Sequence, residues 1–116
     1  DVNPDFIAQI PYGCLPQSGS PAPVILFQDL STAQNPAFIN SWDWNFGNGV
    51  QSFSLPGNPP PAFVARTYNA TGFYDVSLTV GTNLGCRRTI TKSQYIEINQ
   101  PNADFNLDYN LYCPNL

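Results

Sequence analysis

The strict alternation of polar and apolar residues is the feature that most constrains the fold of this chain. It is cleanest over residues 73–80, where Tyr, Val, Leu and Val alternate with Asp, Ser and Thr. A period of two is typical of half-buried β-strands, and the sequence contains no convincing amphipathic helix. The 12 prolines and 8 glycines divide the alternating segments into short pieces. The sequence therefore predicts an all-β fold.

Seven strands follow from this pattern. The third strand places Trp42, Trp44 and Phe46 on one face, and Asn48-Gly49 after it suits a tight hairpin because both residues tolerate positive φ. Strands of this number and spacing, in roughly 100 residues, predict a seven-stranded immunoglobulin-like β-sandwich. The predicted strands cover residues 5–10, 22–29, 39–46, 50–54, 62–68, 73–80 and 86–99.

The end of the chain repeats its beginning. Residues 4–16 read P-D-F-I-A-Q-I-P-Y-G-C-L-P, and residues 103–114 read A-D-F-N-L-D-Y-N-L-Y-C-P. We predict a complete unit at 1–99, a stiff linker at 100–101 and the first strand of a following repeat at 102–116. Such proteins usually work by length and presentation. Because the two-residue linker is too short to let neighbouring units swing freely and Pro101 stiffens it, we expect successive units to form a semi-rigid rod. Three residue types recur at a separation of 99 positions: Asp5 and Asp104, Phe6 and Phe105, Cys14 and Cys113.

Composition excludes several partners. The net charge is −4, and the only basic residues are Arg66, Arg87, Arg88 and Lys92, too few to neutralise a nucleic acid or to bind an anionic membrane surface. No apolar run is long enough for membrane insertion. Charged residues make up only 10% of the chain, which is common in secreted proteins.

The residue types also argue against an enzyme. Histidine is absent, which excludes Ser-His-Asp and Cys-His catalytic arrangements, and no pattern of metal ligands or cofactor motif is present. Asp43 and Asp75 could form a glycosidase pair. We favour the alternative that each lies on the outer face of its strand. We therefore expect no catalytic residue, no metal and no cofactor.

Aromatic residues are the candidates for binding. Trp42 and Trp44 could form a sugar platform, but the alternation favours the core for Trp44 and leaves Trp42 open. Asn69-Ala70-Thr71 matches the N-glycosylation pattern, for which chance is the leading explanation. The other candidates for exposed aromatic contacts are Phe53, Phe63, Phe73 and Tyr95.

Three motifs resemble a known family. Residues 44–49 read W-N-F-G-N-G, residues 65–68 read A-R-T-Y and residues 72–80 read G-F-Y-D-V-S-L-T-V. They resemble W-D-F-G-D-G, H-x-Y and G-x-Y-x-V-x-L-x-V of the polycystic kidney disease (PKD) domain. Asn45 and Asn48 replace both acids of the family motif and Arg66 replaces its histidine, so no calcium site is expected. Tyr74 is predicted to act as a tyrosine corner. The core motif residues are Trp44, Phe46, Gly47, Gly49, Tyr68, Gly72, Tyr74, Val76 and Leu78.

The cysteines allow two interpretations. Cys14 follows the first strand and Cys86 opens the last, and because these strands can be neighbours we expect a Cys14–Cys86 disulfide. Cys113 would then begin the pair of the next unit. The alternative is buried free thiols in a reducing compartment.

The resemblance also implies a function. G-C-L-P at 13–16 and G-C-R-R-T at 85–89 resemble PKD repeats of very large surface proteins from Bacteroidota. This implies a non-catalytic structural or spacer repeat of an extracellular or cell-surface protein, whose partners are neighbouring repeats. The alternative is an accessory carbohydrate- or protein-binding module of a secreted hydrolase. A third hypothesis is self-assembly into a filament, with the C-terminal segment packing on another chain.

Overall fold

The computed structural model describes residues 2–15 and 22–99 of the 116-residue chain. The predicted linker at 100–101 and the predicted repeat start at 102–116, with Cys113, lie outside the described residues. The predicted domain boundaries therefore remain a prediction.

Two sheets face each other, and no helix occurs in the described part of the chain. A five-stranded sheet has the order β3-β10-β9-β6-β7, a three-stranded sheet has the order β2-β4-β8, and β1 pairs with β5. All pairings are antiparallel except that of β3 with β10. The strands are β1 (Val2–Asn3), β2 (Phe6–Ala8), β3 (Tyr12–Cys14), β4 (Val24–Asp29), β5 (Thr32–Ala33), β6 (Ile39–Asn45), β7 (Val50–Ser54), β8 (Val64–Thr67), β9 (Gly72–Thr82) and β10 (Arg87–Asn99).

The first predicted strand, at residues 5–10, corresponds to β2 alone, and β3 follows it as a strand that the sequence pattern did not predict. β2 pairs with β4 in the small sheet, whereas β3 pairs with β10 in the large one. Pro11 lies at the crossing, where it has no N–H to donate and its carbonyl accepts the Glu97 N–H at 3.1 Å. The other six predicted strands match β4 and β6–β10 to within a few residues at each end.

An aromatic cluster fills the space between the sheets. Trp44 stacks on Phe46 at 5.5 Å between ring centroids, and Phe6 meets Trp44 edge-to-face at 5.3 Å. The ring centroid of Phe27, which belongs to the opposite sheet, lies 5.1 Å from that of Phe46. Each buried aromatic or aliphatic side chain stabilises the fold by about 1.5–3 kcal/mol. The remaining fully buried side chains of this core include Tyr68, Val76, Leu78, Val80, Ile96 and Ile98.

The hairpin between β6 and β7 depends on glycine. The Phe46 N–H donates to the Gly49 carbonyl at 2.8 Å. Positive φ angles occur at Gly47 (+88°) and Gly49 (+153°) but not at Asn48. Asn48-Gly49 therefore lies in the hairpin between β6 and β7 that the sequence predicted, and Gly49 is the one of the two with a positive φ. A Cβ atom on Gly47 would lie 2.9 Å from the Asp75 carbonyl oxygen, so the backbone approach itself requires glycine.

The predicted Cys14–Cys86 disulfide is wrong. Cys86 is an exposed free cysteine. The predicted first strand, β2, pairs with β4 and not with the last strand. Cys14 lies on β3, which runs parallel to β10, so Cys14 is opposite Asn99 at the end of β10. Cys86 precedes the start of β10, 13 residues away, which at 3.3 Å per residue is about 43 Å. A disulfide requires Cα atoms within about 7 Å.

Candidate functional site

The motif residues of the β6–β7 hairpin converge on one side chain of β8. The Arg66 guanidinium donates from Nε to Asn48 Oδ1 at 2.8 Å and from Nη2 to the Asn48 carbonyl at 3.0 Å. It also lies over the Phe46 ring, 5.3 Å from the centroid. We call Phe46, Asn48, Arg66, Tyr68 and Tyr74 the motif cluster. In it, Arg66 holds the hairpin against the three-stranded sheet.

The polar groups of the motif cluster bond within the domain. Asn48 Nδ2 donates to the Thr67 carbonyl at 2.9 Å, and the buried Tyr68 hydroxyl donates to the Phe46 carbonyl at 2.9 Å. Burial raises the pKa of Tyr68 well above its ordinary value. The Tyr74 hydroxyl donates to the Ala70 carbonyl at 2.6 Å, which is the backbone bond predicted for a tyrosine corner. These contacts indicate a structural role for the cluster.

The centre of the outer face of the five-stranded sheet is polar. A row of short side chains crosses it from Ser52 on β7 through Asp43 on β6 and Thr79 on β9 to Thr89 on β10. Ser52 donates to Asp43 Oδ1 at 2.7 Å, and Arg87 donates to Oδ2 at 3.0 Å. The Ser52 hydrogen bond, assisted by Arg87 and opposed by partial burial, holds the pKa of Asp43 below its ordinary value. A lowered pKa keeps Asp43 ionised, which is the opposite of what a general acid needs.

Asp43 and Asp75 do not form a pair. Asp43 is opposite Thr79 on β9, and Asp75 lies four residues before Thr79 in that strand, about 13 Å away. The carboxylates of glycosidases are about 5–9.5 Å apart. Asp75 instead accepts the Gln94 N–H at 2.7 Å, at the irregularity of β10. Both acids therefore have local structural partners.

The structure divides the aromatic candidates. Trp44 is fully buried, and Trp42 is only 8% exposed, with its Nε1–H donated to Asp29 Oδ2 at 2.9 Å. Phe53 is also 8% exposed, so its prediction as an exposed contact is wrong; it lies beside Trp42 on β7. Phe63 and Phe73 are exposed. No sugar platform of the two tryptophans is possible.

Lys92 has a role that the sequence analysis missed. Its Nζ donates to the Phe6 carbonyl, lies 3.6 Å from Asp5 Oδ1, and sits over the Phe6 and Tyr95 rings at 4.8 and 5.0 Å. The Tyr95 hydroxyl accepts the Ala8 N–H at 2.9 Å. We call Lys92 and Tyr95 the strand clamp, because together they hold β2 against β10. The sequence signal was indirect: Asp5-Phe6, which the clamp holds, is the dipeptide repeated in the tail.

The remaining sequence predictions concern glycosylation, metal binding and membrane insertion. Asn69 is exposed and follows β8. Among the described residues, no group of His, Cys, Asp and Glu could hold a metal ion. No helix in that part of the chain is long and apolar enough to cross a membrane.

The two facing sheets, the sheet-switching first strand and the tyrosine corner define an immunoglobulin-like β-sandwich. A family model for the PKD domain matches residues 16–98. The chain belongs to the PKD domain family.

Solved structures show the same fold. The PKD1 domain of Vibrio anguillarum Epp is 23% identical, with a TM-score of 0.57, and the match covers 84% of this chain and 94% of that one. The PKD1 domain of the Vibrio cholerae metalloprotease PrtV is 24% identical, with a TM-score of 0.57, covering 83% and 94%.

A structure of carbohydrate-binding modules from the β-sandwich superfamily is 20% identical, with a TM-score of 0.66; the match covers 92% of this chain and 39% of that one. A search of curated proteins found no match.

Proposed function

We propose that this PKD domain is a non-catalytic spacer repeat of a long extracellular or cell-surface protein, of the kind found in tandem in large surface proteins of Bacteroidota. The observation that carries the proposal is the 99-residue repeat. The tail from residue 102 copies the start of the chain, and the last described strand ends at Asn99, two linker residues before it. A lone strand is not stable in water without the sheet that it joins, so a copy of the first strand implies a following unit.

The contacts of the domain support a structural role. The polar side chains of the motif cluster, and Asp43 with its partner Ser52, form hydrogen bonds within the domain. Neither group therefore has the convergent, open geometry of a catalytic site. The PrtV domain belongs to a metalloprotease, which supports an extracellular location and a role beside other domains.

The complete protein provides the test. We expect several copies with the 99-residue period, and a contour length in atomic force images that grows in proportion to their number. A single copy joined directly to a catalytic domain would overturn the spacer function.

An accessory binding module of a secreted hydrolase is the second candidate. Phe73, 60% exposed on the outer face of β9, favours it, and the likeness to carbohydrate-binding modules gives the precedent of the fold. The test is titration calorimetry with a panel of soluble polysaccharides. Binding that is lost in Phe73→Ala and retained in the matched variant Val50→Ala would support the module; no binding to any member would reject it for glycans.

A further inference from the structure

We infer that Phe38 and Leu84 form a docking surface for the end of the preceding copy of this domain. The inference rests on the proposed tandem arrangement and goes further, because it names the two surfaces that meet. Its occupant is a second copy of the unit, joined through its own C-terminal strand.

The chain length forces neighbouring units together. β10 ends at Asn99, and β1 begins at Val2, whose equivalent in the next unit is Pro101. Asn3 and Asn102 share the same separation and extend the repeat across this junction. Two residues span at most about 7 Å. The exit of β10 in one unit therefore touches the region around β1 in the next.

The region around β1 carries exposed apolar side chains. β1 pairs with β5, and the turn after β5 leads to Phe38, which is 52% exposed. Two hydrogen bonds tie Phe38 to the β9–β10 turn: its N–H donates to Asn83 Oδ1 at 2.8 Å, and its carbonyl accepts the Asn83 N–H at 3.1 Å. Leu84 follows in that turn and is 65% exposed. We call Phe38 and Leu84 the entry surface.

The opposite end carries a matching pair. Tyr12 on β3 and Phe73 on β9 both lie opposite Glu97 of β10, two residues before the strand ends at Asn99. Both aromatic rings belong to the outer face, and Phe73 is 60% exposed. We call Tyr12 and Phe73 the exit surface. Large apolar side chains exposed at both ends, where the linker forces contact, are typical of an interface between protein units.

A tandem chain tests the inference. Residues 1–101 followed by residues 3–116 contain two complete units with the natural junction. Small-angle scattering should show one narrow distribution of inter-unit angles. The double substitution Phe38→Ser and Leu84→Ser, placed in the second unit alone, should remove the narrow distribution, and so should Phe73→Ser in the first unit. Combining all three should add little, because both changes break one contact.

Matched variants separate docking from folding. Val50→Ser removes an even more exposed apolar side chain, 71% exposed on the edge strand β7, and should leave the inter-unit angles unchanged. The entry-surface variant in the single 116-residue chain should keep the thermal midpoint of the parent.

Two results would overturn the inference. A broad angle distribution in the parent tandem chain, with both units folded, leaves the spacer function standing but rejects the docked ends; a narrow distribution that survives all three substitutions rejects these two surfaces. Failure of the second unit to fold beside the first would instead reject the repeat boundary and the proposed function with it.

Discussion

At the scale of single residues, the two tryptophans of β6 show how differently one residue type can be used two positions apart. The Nε1–H of Trp42 is donated to Asp29, which links the two sheets. The Nε1–H of Trp44 is buried and has no hydrogen-bond partner among the described residues. Aromatic rings surround it instead. Trp44 therefore stabilises the domain by its packing alone.

Trp44→Ala should lower the free energy of unfolding by about 3–5 kcal/mol, because it leaves a large cavity between the sheets. Trp44→Phe should lower the free energy of unfolding by less, about 1–3 kcal/mol, since it leaves a smaller cavity and also removes the unpaired Nε1–H donor. Urea unfolding followed by circular dichroism measures both. An unchanged urea midpoint for Trp44→Ala would contradict the packing role.

Gly49→Ala should lower the free energy of unfolding by about 1–3 kcal/mol. The positive φ at this position disfavours any Cβ atom, and the new methyl group would lie 1.8 Å from Arg66 Nη2. Arg66 would then have to leave Asn48. Gly57→Ala is the matched control, because a Cβ atom there meets nothing within 4 Å. Equal thermal midpoints for the two variants would argue against the strain at Gly49.

Asp43 should make stability depend on pH in the acid range. Its folded pKa is lowered from the ordinary value of 3.8, so its contribution is fully present above pH 3.8 and is lost as the pH falls through the lower folded value. We expect Asp43→Asn to be less stable than the parent at pH 7, by at most about 1 kcal/mol because the ion pair is partly exposed. The difference should shrink as the pH approaches 2. Ser52→Ala should weaken the effect, since the Ser52 hydrogen bond is the main cause. A difference that is constant from pH 7 to pH 2 would contradict this.

At the scale of elements, the first strand depends most on side-chain contacts. β2 has three residues and pairs only with β4 in the described structure, while the strand clamp holds its other side. β3 begins four residues later in the other sheet. The sheet switch is what allows one continuous segment to close both sheets.

Lys92→Met should loosen β2 while keeping the aliphatic stem of the side chain. It removes the ammonium group from the Phe6 carbonyl and from the Phe6 and Tyr95 rings, so we expect a loss of about 1–3 kcal/mol. Hydrogen exchange at Phe6 and Ala8 should accelerate more than exchange in β9. Tyr95→Phe, which removes only the acceptor for the Ala8 N–H, should have a smaller effect at the same amides. Uniform acceleration across the domain would instead indicate global destabilisation.

At the scale of the whole molecule, the isolated domain should have no hydrolytic or transfer activity. Asp43 on β6 and Asp75 on β9 lie apart and are bonded to structural partners, and histidine is absent from the chain. A panel of glycan and peptide substrates, followed by product release, checks this. Turnover that disappears in Asp43→Asn or Asp75→Asn would contradict the non-catalytic function.

Local patterns in the sequence predicted much of this architecture. Six strands, the burial of Trp44 and Phe46, and the tyrosine corner at Tyr74 follow from alternation and turn residues, because the pleat of a strand repeats every two residues and each turn is closed by its own neighbours. The family motif could be identified for the same reason, since its residues lie on contiguous strands and turns.

Only the tertiary structure decided which strands meet and in which direction. Parallel pairing of β3 with β10 separates Cys14 from Cys86, and Phe53 becomes buried because β7 places it beside Trp42. Arg66 and Lys92 acquire their partners across 18 and 86 positions of the chain. The alternation of polar and apolar residues predicts which face of a strand is buried. It does not predict the order or direction of the strands, because these depend on the long-range packing of the two sheets.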